Sequence, residues 1–126
     1  MDNKPLNELL EKELAVGYIY GYDGMRQVYY FENSPANIAN FIMTHGENVD
    51  KIVLTDQADR LILNTFGEFI NQCPDQAFLQ EVLKELVPMQ MGEKEPSKIL
   101  SATEDEFAKL LYEEDQQVTE AELRML

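Results

Sequence analysis

The most regular alternation of apolar and polar positions lies between Val16 and Glu32, where two strand-like runs flank the pair Asp23-Gly24. An Asp-Gly pair between such runs predicts a β-hairpin, because a two-residue type I′ turn requires a positive φ at both central residues. In that register Tyr22 faces Met25, Tyr20 faces Gln27, Tyr18 faces Tyr29 and Val16 faces Phe31, all on one side. One face of the hairpin is therefore predicted to be strongly aromatic.

Apolar residues at helical spacing flank this hairpin on both sides. Asn3 to Ala15 predicts a helix with Asn3 as its N-cap and a leucine stripe on one face. Its leucines are Leu6, Leu9, Leu10 and Leu14. After the hairpin, Ser34-Pro35 predicts a helix start, because serine caps and proline at the first position loses no hydrogen bond. This second helix presents Ile38, Phe41 and Ile42 and ends at Gly46.

The β-branched run Lys51 to Leu54 predicts a third strand, at about residues 51–55, beside the hairpin. Residues 57–72 have two interpretations. Either Thr55 or Asp56 caps a helix that ends before Pro74, or a turn at 57–59 leads into a fourth strand, Arg60 to Thr65, antiparallel to the third. The length of the pattern favours the helix, although Gly67 lowers helix stability by roughly 1 kcal/mol relative to alanine.

The C-terminal half contains clearer helix signals. Asp75 to Val87 predicts a helix with Asp75 as N-cap and Pro88 as the stop, followed by an exposed connector from Met89 to Lys98. Thr103 to Glu106 forms a capping box before an acidic helix, and Thr119 to Glu122 repeats the Thr-x-x-Glu pattern. These elements predict an α+β fold with a small antiparallel sheet packed by several helices. Residues 1–100 would form the domain, and 101–126 an acidic helical segment that is mobile or docks onto a partner.

Composition agrees with one packed domain of 126 residues, of which 44% are hydrophobic. No apolar run approaches the roughly 20 residues of a membrane helix, and the N-terminus does not have the pattern of a secretory signal. The single cysteine, Cys73, cannot form an internal disulfide, which fits a reducing compartment. We therefore expect a cytoplasmic protein that does not bind membranes.

The net charge of −14, from 24 acidic and 10 basic residues, further restricts the possible partners. Such a field repels nucleic acid phosphates and anionic membranes. Residues 103–126 carry eight of the acids against Lys109 and Arg124. The sequence contains no basic patch, so we expect no direct binding to nucleic acid.

Three stretches resemble small uncharacterised accessory proteins of bacterial conjugative and other mobile elements. They are Asn64-Thr65-Phe66-Gly67, Cys73-Pro74-Asp75 and Leu86-Val87-Pro88-Met89-Gln90-Met91-Gly92-Glu93. They span about the middle half of the chain and contain no catalytic motif. The resemblance implies a bacterial mobile-element setting and no activity.

Catalytic and metal-binding signals are weak. Cys73 is the only cysteine and His45 the only histidine, and a thiol nucleophile would need the two within hydrogen-bond reach. The position of Cys73 at the end of an apolar pattern is typical of a buried cysteine. The position of His45 directly before Gly46 is typical of a histidine at a helix C-terminus. Cys-x-x-Cys, His-x-x-x-His and EF-hand spacings are absent from the sequence, so we expect no metal, cofactor or catalytic residue. An enzyme acting on a small polar substrate is the least favoured class.

The remaining candidates are surfaces for a protein partner. Tyrosine suits a position where the ring packs against apolar groups and the hydroxyl reaches water. The tyrosines of the hairpin therefore either cover the core or bind a partner. These candidates are Tyr18, Tyr20, Tyr22 and Tyr29. The acids Glu104, Asp105, Glu113 and Glu114 either form a solvated face or dock a basic partner.

The sequence thus predicts a non-enzymatic interaction or accessory protein with a protein partner of unknown identity. The alternative within this class is a DNA mimic, whose acidic surface would inhibit a DNA-processing enzyme. A homodimer is a further expectation, because an exposed hairpin edge and an uncovered leucine stripe both favour self-association.

Overall fold

Six short runs rich in β-branched and aromatic residues form one antiparallel sheet, with helices on both faces. The computed structural model describes residues 4–113. The strands are β1 (Leu14–Tyr20), β2 (Arg26–Glu32), β3 (Lys51–Asp56), β4 (Leu61–Phe66), β5 (Phe69–Gln72) and β6 (Ser101–Thr103). The helices are α1 (Lys4–Asn7), which continues as a 3-10 turn over Glu8–Glu11, α2 (Pro35–His45), α3 (Gln76–Gln90) and α4, described over residues 104–113. The sheet order is β5-β4-β3-β1-β2-β6, which confirms the predicted α+β class.

The predicted hairpin forms between β1 and β2, but its register differs by one residue from the predicted one. Tyr20 pairs with Arg26, so the connecting loop has five residues instead of two. In that loop the backbone N–H of Met25 donates to Asp23 Oδ1 (2.9 Å), and Gly24 has a φ of 83°. The side chain of Asp23 thus stabilises a wider turn than the type I′ turn, which would need only two residues.

This shift separates the tyrosines, because a one-residue slip moves the side chains of one strand to the other face relative to its partner. Tyr18 pairs with Val28, whereas Tyr29 pairs with Gly17. The prediction of one aromatic face was therefore wrong. Tyr18 and Tyr20 lie on one face, called here the open face, and Tyr29 lies on the face that α2 and α3 cover. Burial of Phe31 and Ile19 against these helices selects the observed register.

The predicted N-terminal helix is shorter than expected. Helical structure ends at Glu11, and Leu14 already belongs to β1. As a strand residue, Leu14 pairs with Glu32 of β2 and its side chain is buried. The predicted cap Asn3 lies outside the described residues. Leu9 and Leu14 are buried together with Ala102, so this part of the leucine stripe is covered within the chain. Both edges of the hairpin are also paired, with β3 and with β6, so the expected exposed hairpin edge was wrong.

Residues 57–72 form a turn and two further strands, and the favoured helix was wrong. β4 returns antiparallel to β3, as the alternative predicted, and β5 follows through a two-residue turn at Gly67-Glu68. Gly67 has a φ of 56°, which is typical of glycine at the first central position of a type II′ hairpin turn. Leu63 and Thr65 are buried at alternate positions, which is a strand period.

Asp56 organises the turn between β3 and β4 instead of capping a helix. Its Oδ1 accepts the backbone N–H groups of Ala58 (2.8 Å) and Arg60 (2.9 Å), and the Arg60 side chain donates to Oδ2 (2.9 Å). The pKa of Asp56 lies below its ordinary value, chiefly because its carboxylate accepts the backbone hydrogen bond from Arg60. This local network gave residues 57–60 a competing structure to the helix start that the sequence suggested.

The main core lies between the sheet and the helices α2 and α3. Ser34 Oγ accepts the N–H of Asn37 (3.1 Å) and Asp75 Oδ1 accepts that of Phe78 (3.1 Å), so both predicted N-caps are confirmed. The predicted end of α3 before Pro88 was wrong, since the helix runs to Gln90. Proline removes one hydrogen bond from the helix, but burial of Met89 holds the last turn against the core.

The open face is covered at the β6 side by the N-terminal turns and α4. The rings of Tyr30 and Phe107 stack with centroids 4.2 Å apart, next to the buried cluster of Leu9, Leu14 and Ala102. The predicted capping box is confirmed: the N–H of Thr103 donates to Glu106 Oε1 (2.8 Å) and the N–H of Glu106 to Thr103 Oγ1 (3.2 Å). The described part of the predicted C-terminal segment is thus joined to the sheet through β6. The predictions at Glu114 and at residues 119–122 lie outside the described residues.

Candidate functional site

Three loops meet at one end of the sheet. They are residues 21–25 after β1, 46–50 before β3, and the turn 67–68 after β4. They come together because Tyr20 pairs with Lys51 and Lys51 pairs with Phe66, which aligns these strand ends. The N–H of Gly67 donates to the carbonyl of Asp50 (3.0 Å), which ties the second loop to the third.

Gly46 permits the close approach of these loops. A Cβ at Gly46 would lie 2.6 Å from the carbonyl oxygen of Ile42 in α2, 2.9 Å from the Glu68 side chain and 3.1 Å from the carbonyl oxygen of Gly67. Its φ of −75° needs no glycine, so the requirement is one of space. The side-chain amide of Gln90, at the end of α3, donates to the carbonyl of Glu68 (2.9 Å) and holds the same turn from the other side.

The loops enclose an open cleft of about 460 Å³, called here the aromatic cleft. Its aromatic side chains are Tyr22, Phe66 and Phe69, and its carboxylates are Glu47, Asp50 and Glu68. The three aromatic residues are 76%, 59% and 72% exposed, respectively. Since large apolar side chains are mostly buried in folded proteins, three exposed rings around one cleft form an unusual surface.

The aromatic cleft continues into a row of side chains across the open face. Successive cross-strand partners from the edge strand β5 to β2 are Phe69, Phe66, Lys51, Tyr20 and Arg26. The Lys51 amine lies 5.0 Å from the centroid of the Tyr20 ring, and the Arg26 guanidinium lies 5.6 Å from that of Tyr18. The two tyrosines are therefore half-buried beneath cations and are less accessible than the rings of the aromatic cleft.

The predicted tyrosines have three different environments. Tyr22 lines the aromatic cleft, and Tyr18 and Tyr20 lie on the open face. Tyr29 packs against α2, with its ring 5.9 Å from that of Phe41 and 4.9 Å from that of His45. Tyr29 therefore helps to cover the core, which is one of the two roles predicted for the tyrosines. Tyr22 has the exposure that a partner-binding surface needs.

The predicted acidic residues lie away from the aromatic cleft. Glu104 and Asp105 are exposed at the start of α4, where they border a smaller cleft of about 210 Å³ beside β2. Three strands, β3, β1 and β2, separate β4 from β6 in the sheet. Glu113 is half-buried, and Glu114 lies outside the described residues. The acids of α4 and the aromatic cleft are thus separate surfaces.

Phe66, Phe69 and Lys51 were missed as candidate residues. In the favoured helix over residues 57–72 the two phenylalanines would fall on one side together with Ile62, Ile70 and Cys73, which does not distinguish them as surface residues. The signal that could have identified them is Phe66-Gly67-Glu68-Phe69, in which glycine opens a two-residue hairpin turn. A hairpin there places both phenylalanines directly opposite each other on one face.

Cys73 and His45 both belong to the core side of the molecule. Cys73 is 6% exposed, and its Sγ lies 3.5 Å from the carbonyl of Asp75. Burial raises the pKa of the Cys73 thiol, which disfavours the nucleophilic thiolate. Neither side chain lines the aromatic cleft. Among residues 4–113, no group of three or more His, Cys, Asp or Glu side chains is placed to hold a metal ion.

His45 makes the stability pH-dependent. Burial between Tyr29 and Phe41 lowers the pKa of His45 below its ordinary 6.5, so the unfolded chain binds a proton more readily than the folded chain. We expect the free energy of unfolding to fall as the pH drops below about 6.5, and this part of the loss to vanish in His45→Gln. Urea unfolding of both proteins between about pH 7.5 and 5.5 measures it. A difference between the two proteins that stays constant over this range would contradict the expectation.

None of the helices in residues 4–113 is long and apolar enough to cross a membrane. Comparison of the chain with protein-family models, with curated proteins and with solved structures found no match.

Proposed function

We propose that this chain is a non-enzymatic interaction protein of the cytoplasm that binds another protein through the aromatic cleft. The observation that supports this proposal is the exposure of Tyr22, Phe66 and Phe69 around one cleft. Aromatic residues are enriched in protein interfaces, and a few of them commonly carry most of the binding energy. The accessory role in a bacterial mobile element, which the sequence resemblance implies, is part of the same proposal.

A protein partner fits this surface better than a nucleic acid. Base stacking on exposed rings needs cations nearby for the phosphates, but the aromatic cleft is lined by Glu47, Asp50 and Glu68. The nearby cations Lys51 and Arg26 lie over tyrosine rings on the adjoining open face. The charge around the rings therefore repels phosphate and favours a partner that is neutral or basic.

The test is affinity capture from host cells with the full chain and two matched variants. The first carries Tyr22→Ser, Phe66→Thr and Phe69→Thr, where threonine preserves the strand preference. The second carries Tyr112→Ser, which removes an aromatic residue of similar exposure (64%) on α4. We expect the first variant to lose at least tenfold in capture of a partner that the parent and the second variant retain, because removal of hot-spot aromatics commonly costs at least about 2 kcal/mol each.

Thermal unfolding serves as the control for folding, since exposed positions usually change stability by less than about 0.5 kcal/mol each. Retention of the partner by the Tyr22, Phe66 and Phe69 variant would overturn the proposal. Loss of the partner in Glu104→Gln, Asp105→Asn and Glu113→Gln instead would assign binding to the acidic helix α4.

A further inference from the structure

The aromatic cleft combines the two kinds of group that recognise an organic cation, namely exposed aromatic rings and carboxylates. We infer that it receives an arginine or lysine side chain of the partner protein. This inference rests on the proposed function and adds the chemistry of the partner residue that enters the cleft.

The rings supply the first part of the recognition. A guanidinium or ammonium group is attracted to the face of an aromatic ring when it lies within about 6 Å of the centroid. The chain makes this contact twice on the adjoining open face, where Lys51 lies 5.0 Å from the centroid of Tyr20 and Arg26 lies 5.6 Å from that of Tyr18. Tyr22, Phe66 and Phe69 have no comparable contact with a cation of residues 6–113, the range of described side chains, and they are exposed.

The carboxylates supply the second part. Glu47, Asp50 and Glu68 come from two loops that are joined by the hydrogen bond from Gly67 to Asp50. Among the side chains that the structure describes, those of residues 6–113, the ion pairs are Asp56–Arg60, Glu81–Lys84 and Glu85–Lys94, and none of them involves a carboxylate of the cleft. A cation in the cleft would therefore meet three carboxylates, and such charge-assisted contacts are stronger than neutral hydrogen bonds.

Size and long-range charge agree with this occupant. A volume of about 460 Å³ lies within the range of small-ligand sites, and is open to a side chain that enters from a partner surface. Lys51 is the cation next to the cleft, as the cross-strand partner of Phe66, but its amine is drawn toward Tyr20. The net charge of −14 attracts basic partners and raises the rate of encounter with them.

The experiment is an NMR titration of the full chain with three small probes. N-acetyl-argininamide and N-acetyl-lysinamide carry the cation, and N-acetyl-citrullinamide has nearly the shape of the arginine probe without its charge. We expect saturable shifts of the aromatic signals of Tyr22, Phe66 and Phe69 with both cationic probes, and at least tenfold weaker binding of the citrulline probe.

Two charge variants separate the cleft from the general acidity of the chain. Glu47→Gln, Asp50→Asn and Glu68→Gln remove the three carboxylates of the cleft, and we expect them to weaken binding of the arginine probe at least tenfold. The control variant removes the same charge from exposed acids elsewhere, with Glu8→Gln, Glu11→Gln and Asp105→Asn. It should bind within twofold of the parent chain.

Equal binding of the citrulline probe, equal losses in the two charge variants, or the absence of saturable shifts would each overturn the inference. If these results coincide with capture that still depends on Tyr22, Phe66 and Phe69, the proposed function stands and the cationic occupant is wrong. If the arginine probe binds but capture is independent of these residues, the proposed function fails and the cation site remains.

Discussion

Replacement of Phe41 by alanine is expected to reduce the free energy of unfolding by about 3–5 kcal/mol, the usual cost of deleting a buried phenylalanine ring. The ring is fully buried between α2 and the sheet. It stacks on Phe31, with centroids 4.6 Å apart, and forms a T-shaped pair with the ring of Tyr29. The total free energy of unfolding of a small domain is about 5–15 kcal/mol, so this single change removes a large part of the stability.

Urea unfolding of the full chain measures the effect, with Phe41→Leu as the matched control. Leucine keeps an apolar side chain at the site and should cost clearly less than alanine. A loss below about 1 kcal/mol in Phe41→Ala would show that α2 is held by other contacts, since ring deletion in a packed core costs several times more.

Gly17→Ala is expected to destabilise the fold by about 1–3 kcal/mol, although alanine usually suits a strand better than glycine does. Gly17 lies in the middle of β1 on the face that α2 covers, directly opposite Tyr29. A Cβ at this position would lie 2.6 Å from two atoms of the Phe41 ring and 3.3 Å from the Leu54 side chain. The ring cannot yield, because it is confined by Phe31 and Tyr29.

A double-mutant cycle with Phe41→Leu tests this physical cause. If the clash with the ring carries the cost, Gly17→Ala should cost less in the Phe41→Leu background, and the two changes should not be additive. Additive losses would mean that the cost of Gly17→Ala arises elsewhere in β1. Gly24→Ala is not a suitable control, because the φ of 83° at that residue strains any side chain.

This packing contact also matters for the aromatic cleft. α2 ends at His45, and the loop 46–50 that follows supplies Glu47 and Asp50 to the cleft. The position of that loop thus depends on how α2 sits on the sheet. Variants of Phe41 should therefore be kept out of the binding experiments, since they would change the cleft and the stability together.

The sequence by itself determined the features that depend on neighbours a few residues away. The caps at Ser34 and Asp75 and the capping box of Thr103 and Glu106 formed as predicted, because each joins a side chain to a backbone group three residues along. The existence of the hairpin and of β3 was also predictable from short runs of strand-forming residues. The α+β class followed from these elements.

Only the tertiary structure decided the register of the hairpin, the strands β4 to β6 and the composition of the aromatic cleft. Each depends on partners far along the chain: the covering helices select the face of Tyr29, and β3 supplies the neighbour that makes residues 61–66 a strand. The aromatic cleft unites loops that lie between residues 21 and 69, so Tyr22 and Phe69 became neighbours only after the sheet formed. Local propensity cannot specify such contacts, because their free energy is gained only when distant segments pack together.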